Sequence, residues 1–394
     1  MDAPKAESKK TIRTFAAAAF LNDMGSDIIY PIWPLFVTQV LKAPMAALGL
    51  LDGLGEALVS ISQAVSGYLS DKWRRRKVFI WLGYLCGGLS RLGYAVSSVW
   101  PHLIPFRVLD RAGKIRAAPR DAVIADLSND ENRGRNFGLL RTMDYLGAVV
   151  GVLICIAFVD ILGFKLLLAL AALPSLAAGL LILGGIRESR PDGRNIFKGL
   201  SLGDLGPNLR LYTLLNALFG LGAFSYSFLL LYARSAGAKI VFVPVLYLVY
   251  TATASLLSYP MGNLSDRVGR KPVMFLSFGL WAFVCAGVLA GRGGMIWTGA
   301  LFILYGAHKA ALEPVQKTLV CELSPLAYRA SCLGGFQMVI GLCALPASLL
   351  AGVLWDSLGM AAPFYLSLVL TAVAGALLPF VKERGSNSIP LPRA

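Results

Sequence analysis

The 394-residue chain carries 37 Lys and Arg against 22 Asp and Glu, a formal net charge of +15, yet 56% of its residues are hydrophobic and only 15% are charged. Its mean hydropathy of +0.65 is higher than a water-soluble domain of this length shows, so an ordinary soluble protein is excluded and an integral membrane protein is predicted. The positive charge is spread between apolar segments, not gathered in a separate basic domain, which argues against a nucleic-acid partner.

Apolar runs of about 20 residues, the length that a helix needs to cross ~30 Å of hydrocarbon, follow one another along the chain. They predict an all-α protein with twelve transmembrane helices, at residues 14–40, 46–69, 78–99, 102–126, 136–158, 164–186, 208–233, 241–264, 273–291, 295–320, 330–355 and 361–381.

The distribution of Lys and Arg predicts the orientation, because cytoplasmic loops retain positive charge. With both termini in the cytoplasm, the inside loops hold the basic run Lys72–Lys77 and the polar segment 187–207, whereas the outside loops hold few basic residues. A multi-pass protein of the inner (cytoplasmic) membrane is therefore expected. The lipid bilayer is a partner, anionic lipid attracts the basic side, and a monomer is the expected state.

The chain contains an internal repeat. Residues 67–78 read GYLSDKWRRRKV and residues 262–273 read GNLSDRVGRKPV, an offset of 195 residues. The same offset relates Lys114 to Lys309, so the charged fourth span has a counterpart in the tenth. The repeat predicts two parallel six-helix halves, 14–186 and 208–381, with a cytoplasmic N-terminus 1–13, a linker 187–207 and a tail 382–394, and a solute site between the halves.

Both copies resemble the signature G-x-L-x-D-(R/K)-x-G-R-(R/K) of the major facilitator superfamily (MFS), although Arg74 stands where the signature has Gly in the first copy. The chain resembles a bacterial-type twelve-span member over essentially its whole length. The resemblance implies two pseudo-symmetric bundles that alternate between outward and inward openings, and a loop that stabilises the outward-facing state. A small residue here lets helices approach closely, and an acid at a helix end can pair with the basic loop. The predicted gating residues are Gly67, Asp71, Arg75, Gly262, Asp266 and Arg270.

The fourth span holds the unusual stretch LDRAGKIRAAPRDAVIAD at 109–126. An unpaired charge at mid-bilayer costs roughly 3 kcal/mol, so these groups are expected to face water or partners. At 100° per residue, Lys114 shares one stripe with Arg107, Asp110 and Asp121, and Arg116 and Arg120 lie on another. Helical phase leaves open which stripe faces the cavity. The predicted structural charge network comprises Arg116, Arg120, Asp121, Arg141 and Asp144.

Charged residues near the midplane of the other spans are the functional candidates. A carboxyl group that enters a low-dielectric environment holds a proton more readily, and imidazole exchanges protons near neutral pH. Asp27, Glu56 and His308 are therefore the proton-coupling candidates. The predicted substrate cavity comprises Asp23, Tyr30, Asp110, Arg111, Lys114, Lys309 and Glu313. An ion pair that merely fixes helix packing and direct binding of the substrate are the alternatives for Asp27.

The sequence shows no phosphate-binding loop and no hydrolase motif, so an enzyme is not expected and no cofactor or metal is predicted. The predicted function is secondary active transport of a small polar or charged solute, coupled to H⁺ and directed outward. Proton-coupled uptake of an organic anion, a channel-like facilitator, and a sensor or scaffold that kept the fold without turnover remain alternatives. The identity of the solute is left open by the near balance of acids and bases in the spans.

Overall fold

The computed structural model describes residues 3–73, 75–127, 133–186, 188, 206–291, 294–324 and 329–382. Within these ranges the side chains at 3–7, 67–68, 71–72, 125, 133–135, 137–138, 329–331 and 333 are outside the description. The described part is mostly helical and contains no β-strand. The prediction of an all-α protein is confirmed.

The first half consists of helices that follow one another with short connections. They are α1 (Ala3–Ile29), α2 (Trp33–Leu35), α3 (Met45–Trp73), α4 (Lys77–Val96), α5 (Leu103–Ala112), α6 (Ala117–Asp126), α7 (Arg133–Leu170) and α8 (Ala172–Gly185). The second half repeats the pattern with α9 (Pro207–Gly222), α10 (Ser227–Ser235), α11 (Phe242–Val268), α12 (Arg270–Leu289), α13 (Met295–Leu323), α14 (Arg329–Leu358) and α15 (Ala362–Leu377).

Among the described residues, seven helical stretches are long and apolar enough to cross a membrane by length and composition. One of them, Leu139–Gly185, is 47 residues long and holds two predicted spans, because the backbone breaks at Gly163 with φ 68°. The other four predicted spans coincide with the charge-bearing helices α1, α4, α5 with α6, and α13. Seven stretches are thus established by composition, and the count of twelve stays a prediction.

Several predicted spans are interrupted where the sequence pattern gave one continuous helix, among them the first at residues 30–32. Two of the interruptions adjoin a glycine. In the fourth, a 3₁₀ turn at Gly113–Arg116 separates α5 from α6. In the seventh, residues 223–226 are largely non-helical between α9 and α10. Each of these two interruptions follows or contains a glycine, the residue that stabilises a helix least after proline. Both interruptions lie beside the charged residues described below.

The two halves meet along α3 and α14. The backbone amides of Met45 and Ala46, which begin α3, donate hydrogen bonds to the carboxylate of Asp356 near the end of α14, at 3.0 and 2.8 Å. We call this end of the molecule, formed by residues 41–48 and 352–359, the latch end. The opposite end of α3 carries the first copy of the signature. This end of the molecule is called the signature end.

Candidate functional site

Asp27 joins the two halves in the interior. It is 8% exposed, and its Oδ1 accepts a hydrogen bond of 3.1 Å from the hydroxyl of Tyr247 on α11. Asp23, one turn earlier on α1, is half-buried and accepts a bond of 2.8 Å from the side-chain amide of Asn22. Both Asp23 and Lys114 lie within electrostatic reach of Asp27. The structure therefore brings one coupling candidate together with two cavity candidates.

Asp52, which sequence reasoning did not select, is a second connection between the halves. Its Oδ1 accepts bonds of 2.9 Å from the indole of Trp33 and from the guanidinium of Arg107. Its Oδ2 accepts bonds of 2.7 and 2.5 Å from the hydroxyls of Ser225 and Ser227, at the interruption between α9 and α10. With four donors on one carboxylate, Asp52 is fully hydrogen-bonded although it is only 4% exposed.

On α5, one carboxylate lies beside two guanidinium groups. Asp110 is 4.0 Å from Arg107 and 3.5 Å from Arg111. Arg111 also lies over the ring of Tyr30, 5.3 Å from its centroid, and donates to the Tyr30 hydroxyl at 3.4 Å. Lys114 follows on the 3₁₀ turn and is half-buried. Arg111 thus contacts two other cavity candidates, Asp110 and Tyr30.

The predicted structural network is assembled in part. Arg120 contacts Asp121 on its own helix at 3.0 Å and lies within electrostatic reach of Asp144 on α7. Asp144 in turn is 3.4 Å from Arg141. Arg120 and Asp144 are thus near each other, but no ion pair between them occurs among the described residues.

Arg116 is held differently. It donates to the carbonyl oxygen of Gly113 at 2.9 Å and lies over the ring of Tyr84 at 4.9 Å. Its described contacts are thus a carbonyl and an aromatic face, both of which favour a cation, rather than a carboxylate of the second or fifth span.

Arg91 on α4 is a further buried cation that the candidate set did not include. It is 2% exposed and donates to Ser175, to the carbonyl of Ala171 at 3.0 Å and to the hydroxyl of Ser26 at 2.7 Å. These neutral oxygens come from α1 and α8, so Arg91 links three helices of the first half. An Arg inside a predicted span was the available signal.

The central region of the second half is rich in aromatic side chains, whereas that of the first half is rich in charged ones. Tyr226, Tyr247, Tyr250 and Tyr305 form a chain in which neighbouring ring centroids are 5.2 to 5.4 Å apart. Lys309 lies over Tyr305 at 5.7 Å and within electrostatic reach of Glu56 and Glu313, both of which are exposed. A cationic group of a solute can therefore pair with Glu56 or Glu313, and an anionic group can pair with Lys309. A ring or an apolar group can pack on the tyrosines.

His308 is 1% exposed and packs against aromatic rings. Its Nδ1 lies 2.9 Å from both the hydroxyl and the carbonyl oxygen of Ser277. Phe219, Trp281 and Tyr305 surround the imidazole with centroids 5.5 to 6.1 Å away. A contact with the carbonyl oxygen requires Nδ1 to carry the hydrogen, so the imidazole is held in one orientation by α12.

The second signature copy forms ion pairs among the described residues, whereas part of the first copy lies outside them. In the second, Arg270 contacts Asp266, Glu322 at 2.9 Å and the hydroxyl of Ser265 at 2.7 Å, and Gly262 borders open space. In the first, the side chains at Gly67 and Asp71 lie outside the described residues, and Arg75 is exposed.

The neighbouring Arg76 pairs with Asp126, and the backbone amides of Arg76 and Lys77 donate to Glu188 at 2.6 and 3.0 Å. Each half therefore ties its signature segment to the helix end of a later span. Among the described residues, no group of three or more His, Cys, Asp or Glu side chains is suited to hold a metal ion.

The profile of the Major Facilitator Superfamily matches residues 15–236 and 212–393. The chain belongs to this superfamily. An uncharacterised MFS-type transporter of Methanocaldococcus jannaschii is 35% identical over 387 residues, which cover 95% of this chain and 96% of that protein. Multidrug resistance protein MdtH of Aeromonas hydrophila is 25% identical over 86% of each chain.

Solved structures share the fold. A bacterial homologue of the human lysosomal transporter Spinster, inward-facing and occupied, superposes with a TM-score of 0.77 at 13% identity, over 94% of this chain and 96% of that one. A variant of the nucleoside transporter NupG gives a TM-score of 0.78 at 15% identity, over 94% and 98%. The family and fold predictions are confirmed: the protein is a multi-pass MFS secondary transporter and not an enzyme.

Proposed function

We propose that this MFS transporter is proton-coupled, that Asp27 carries the proton, and that the protein exports a small polar or charged solute. The observation that carries the proposal is the hydrogen bond from Tyr247 to Asp27. It joins an ionisable group buried in α1 to the opposite half of the protein, so the charge of this carboxylate bears directly on the contact between the halves.

The chemistry follows from the acceptor role of the carboxylate. An ionised Asp27 accepts strongly from the Tyr247 hydroxyl and is stabilised by the nearby Lys114. A protonated Asp27 loses its attraction to Lys114 and becomes a weaker acceptor. Proton binding therefore loosens this link between the halves and removes a negative charge from the central region. A solute that carries a positive charge is held less strongly there once Asp27 is protonated, so the proton and the solute oppose each other, as export in exchange for protons requires.

The state of the molecule supports alternating access. The described hydrogen bonds between the halves include those of Asp356, Asp52 and Asp27, which lie at the latch end or toward the middle, whereas Glu56, Glu313 and Lys317 are exposed. With the basic signature end in the cytoplasm, as its Lys and Arg favour, this arrangement is inward-facing.

The direction of transport rests on similarity to an MdtH protein named for multidrug resistance. Uptake of an organic anion is the second candidate, because Lys114, Lys309 and Arg111 all lie at the central region. The two are distinguishable in proteoliposomes that carry a pH gradient. An antiporter accumulates the solute on the acidic side, and a symporter accumulates it on the alkaline side.

The test uses a solute identified by a thermal-shift screen of metabolites, metals and drugs. Asp27→Asn should abolish accumulation driven by a pH gradient while leaving counterflow, because exchange moves no net proton. Asp160→Asn, which removes an exposed acid on α7, is the matched control and should retain both activities. Glu56→Gln tests the alternative carrier. Full accumulation by Asp27→Asn would refute its role, and wild-type protein without counterflow would point to a sensor or scaffold.

A second measurement needs no solute. Infrared difference spectra of the purified protein at two pH values should show a carboxyl band that Asp27→Asn removes and Asp160→Asn retains. A band that persists in Asp27→Asn and disappears in Glu56→Gln would transfer the coupling role to Glu56.

A further inference from the structure

A cleft lies away from the central region, between α1 and α8. It has a volume of about 450 Å³ and is lined by Lys9, Lys10, Arg13, Thr14, Ala17 and Leu181. This volume falls within the range of ligand pockets, roughly 300 to 1,000 Å³. The cleft is at the beginning of α1, where that helix approaches the end of α8: a Cβ on Gly185 would lie 3.0 Å from Thr14.

The cleft has a cationic end and an apolar end. Lys9, Lys10 and Arg13 are exposed, and no carboxylate is among the residues that line the cleft. Lys10, Arg13 and Ala17 recur at helical spacing, so the cleft follows one face of α1 for about 10 Å from its cations to Ala17. Leu181 lies opposite on α8, and the neighbouring Leu180 and Leu183 are 70% and 46% exposed.

We propose that this cleft binds an anionic phospholipid, with the phosphate on Lys9, Lys10 and Arg13 and the start of an acyl chain against Ala17 and Leu181. Three cations in one cleft are suited to a phosphate, because Arg offers a planar pair of donors and Lys a point charge. A free phosphate would use only the cationic end. The apolar end, which continues into exposed leucines of a membrane-spanning helix, is complementary to a lipid.

The site also differs from a diffuse attraction of lipid to basic loops. Diffuse attraction depends on the total charge at the membrane surface, and each Lys or Arg near the surface contributes in a similar way. Lipid binding in a cleft depends on which cations are removed and on the shape of the apolar floor of the cleft. These two dependencies can be measured separately.

The experiment uses native mass spectrometry of the full chain with phosphatidylglycerol and phosphatidylcholine as probes. The wild type should retain one phosphatidylglycerol in preference to phosphatidylcholine, and Lys9→Gln/Lys10→Gln/Arg13→Gln should lower its affinity at least tenfold. The control Arg210→Gln/Arg267→Gln/Lys382→Gln removes three exposed cations at other helix ends and should bind as the wild type does. An equal loss in both triple variants, or no loss in the first, would overturn the proposal.

A shape variant distinguishes a lipid from free phosphate. Ala17→Trp fills the apolar floor at an exposed position and should weaken phosphatidylglycerol binding severalfold. Normal lipid binding by Ala17→Trp, together with displacement by millimolar inorganic phosphate, would show a phosphate site and reject the lipid. Melting temperatures verify folding, and Arg13→Gln with Arg267→Gln as its control replaces the triple variants if one of them fails to fold.

Discussion

Buried charges in this protein differ in how directly they are compensated. Asp52 and Arg107 are 4% exposed each and are joined by a bond of 2.9 Å, with further donors on the carboxylate. Lys114 is half-buried and lies within electrostatic reach of Asp27, Asp110 and Asp144, but no ion pair of Lys114 occurs among the described residues. The first arrangement is typical of structure, and the second leaves an ammonium group available to a solute.

Replacement of Lys114 by Ala should therefore affect binding more than stability. Loss of a charge-assisted hydrogen bond to the solute would weaken affinity by ~1.5 to 3 kcal/mol. Asp52→Ala is the contrasting variant, because it removes the carboxylate that the buried Arg107 binds at 2.9 Å and leaves only the more distant Asp110, so it should cost ~3 to 5 kcal/mol of stability. Ligand affinity and melting temperature measured on both proteins check the assignment. Unchanged affinity with a collapsed melting temperature in Lys114→Ala would make it a structural lysine.

His308 is a proton-coupling candidate by sequence, but its contacts in the structure are those of a packing residue. Its position in the tenth span and its ordinary titration range indicated proton coupling. In the structure, its Nδ1 is held by Ser277 and its ring is surrounded by three aromatic side chains. Exchange of a proton at this nitrogen requires the contact with α12 to break, which favours Asp27 over His308 as the proposed proton carrier. The hydrogen-bond partner of Asp27, Tyr247, belongs to the other half.

At the scale of the element, the 3₁₀ turn at Gly113–Arg116 explains why the stripes of the fourth span cannot be extended along its length. A 3₁₀ turn advances about 120° per residue instead of 100°, so four residues shift the helical phase by about 80°. The stripe argument holds within α5, where Arg107, Asp110 and Arg111 are in contact. It fails between Asp110 and Asp121, on either side of the turn.

The sequence predicted the helices, the repeat and the charged fourth span, because hydropathy and charge are local properties. It missed the role of Asp52, since its four donors come from α2, α5 and the interruption between α9 and α10. It also missed the Tyr247 contact with Asp27, which joins residues 220 positions apart in sequence. Such pairings depend on helix packing, and a single sequence gives the depth of a residue but not its neighbour.

The first backbone amides of α3 find their hydrogen-bond acceptor in the other half of the protein. The first amides of a helix lack partners within it, and a side-chain acceptor usually comes from the same chain segment. Here the acceptor is Asp356 of α14. When the latch end opens, these amides must therefore hydrogen-bond to water instead of Asp356. The stability of the start of α3 thus depends on the state of the transporter.

Asp356→Ala should destabilise this end by about 1 kcal/mol, the usual cost of losing a helix cap. Amide hydrogen exchange of residues 45–48 should accelerate, because their hydrogen bonds open more often. Ser357→Ala is the control, since the hydrogen bond of the Ser357 hydroxyl among the described residues stays within α14, to the carbonyl of Val353 at 2.7 Å. Equal exchange in the two variants would show that the cap does not hold the latch end.

At the scale of the whole molecule, the two halves are related by the sequence repeat, but their central regions differ in the kind of side chain they contain. The central part of the first half is charged and that of the second half is rich in tyrosine, and Lys114 and Lys309 keep the repeat's register. Asp27 and Asp52, both of the first half, bind hydroxyl groups of the second. Contacts between carboxylates and hydroxyls are strong enough to hold a state and weak enough to exchange for water when the halves separate.

The seam between α3 and α14 is the surface that must part if the protein alternates. Small residues along it permit backbone contact: a Cβ on Gly352 would lie 2.2 Å from the carbonyl oxygen of Met45, and one on Gly49 would lie 1.9 Å from that of Ser348. On the same helix, Gly335 borders open space. The seam is therefore close at the latch end and loose toward the signature end.

Gly352→Leu should consequently act as a wedge that favours the state in which the latch end is open. The bulky side chain cannot fit against Met45, but it gains room when α14 moves away, so the fold survives while the equilibrium shifts. We expect faster amide exchange over residues 45–53, slower counterflow by tenfold or more and a modest loss of melting temperature. Gly335→Leu, with open space to enter, should resemble the wild type. A collapse of the Gly352→Leu melting temperature would identify the seam as fixed packing, and normal counterflow would place the moving surface elsewhere.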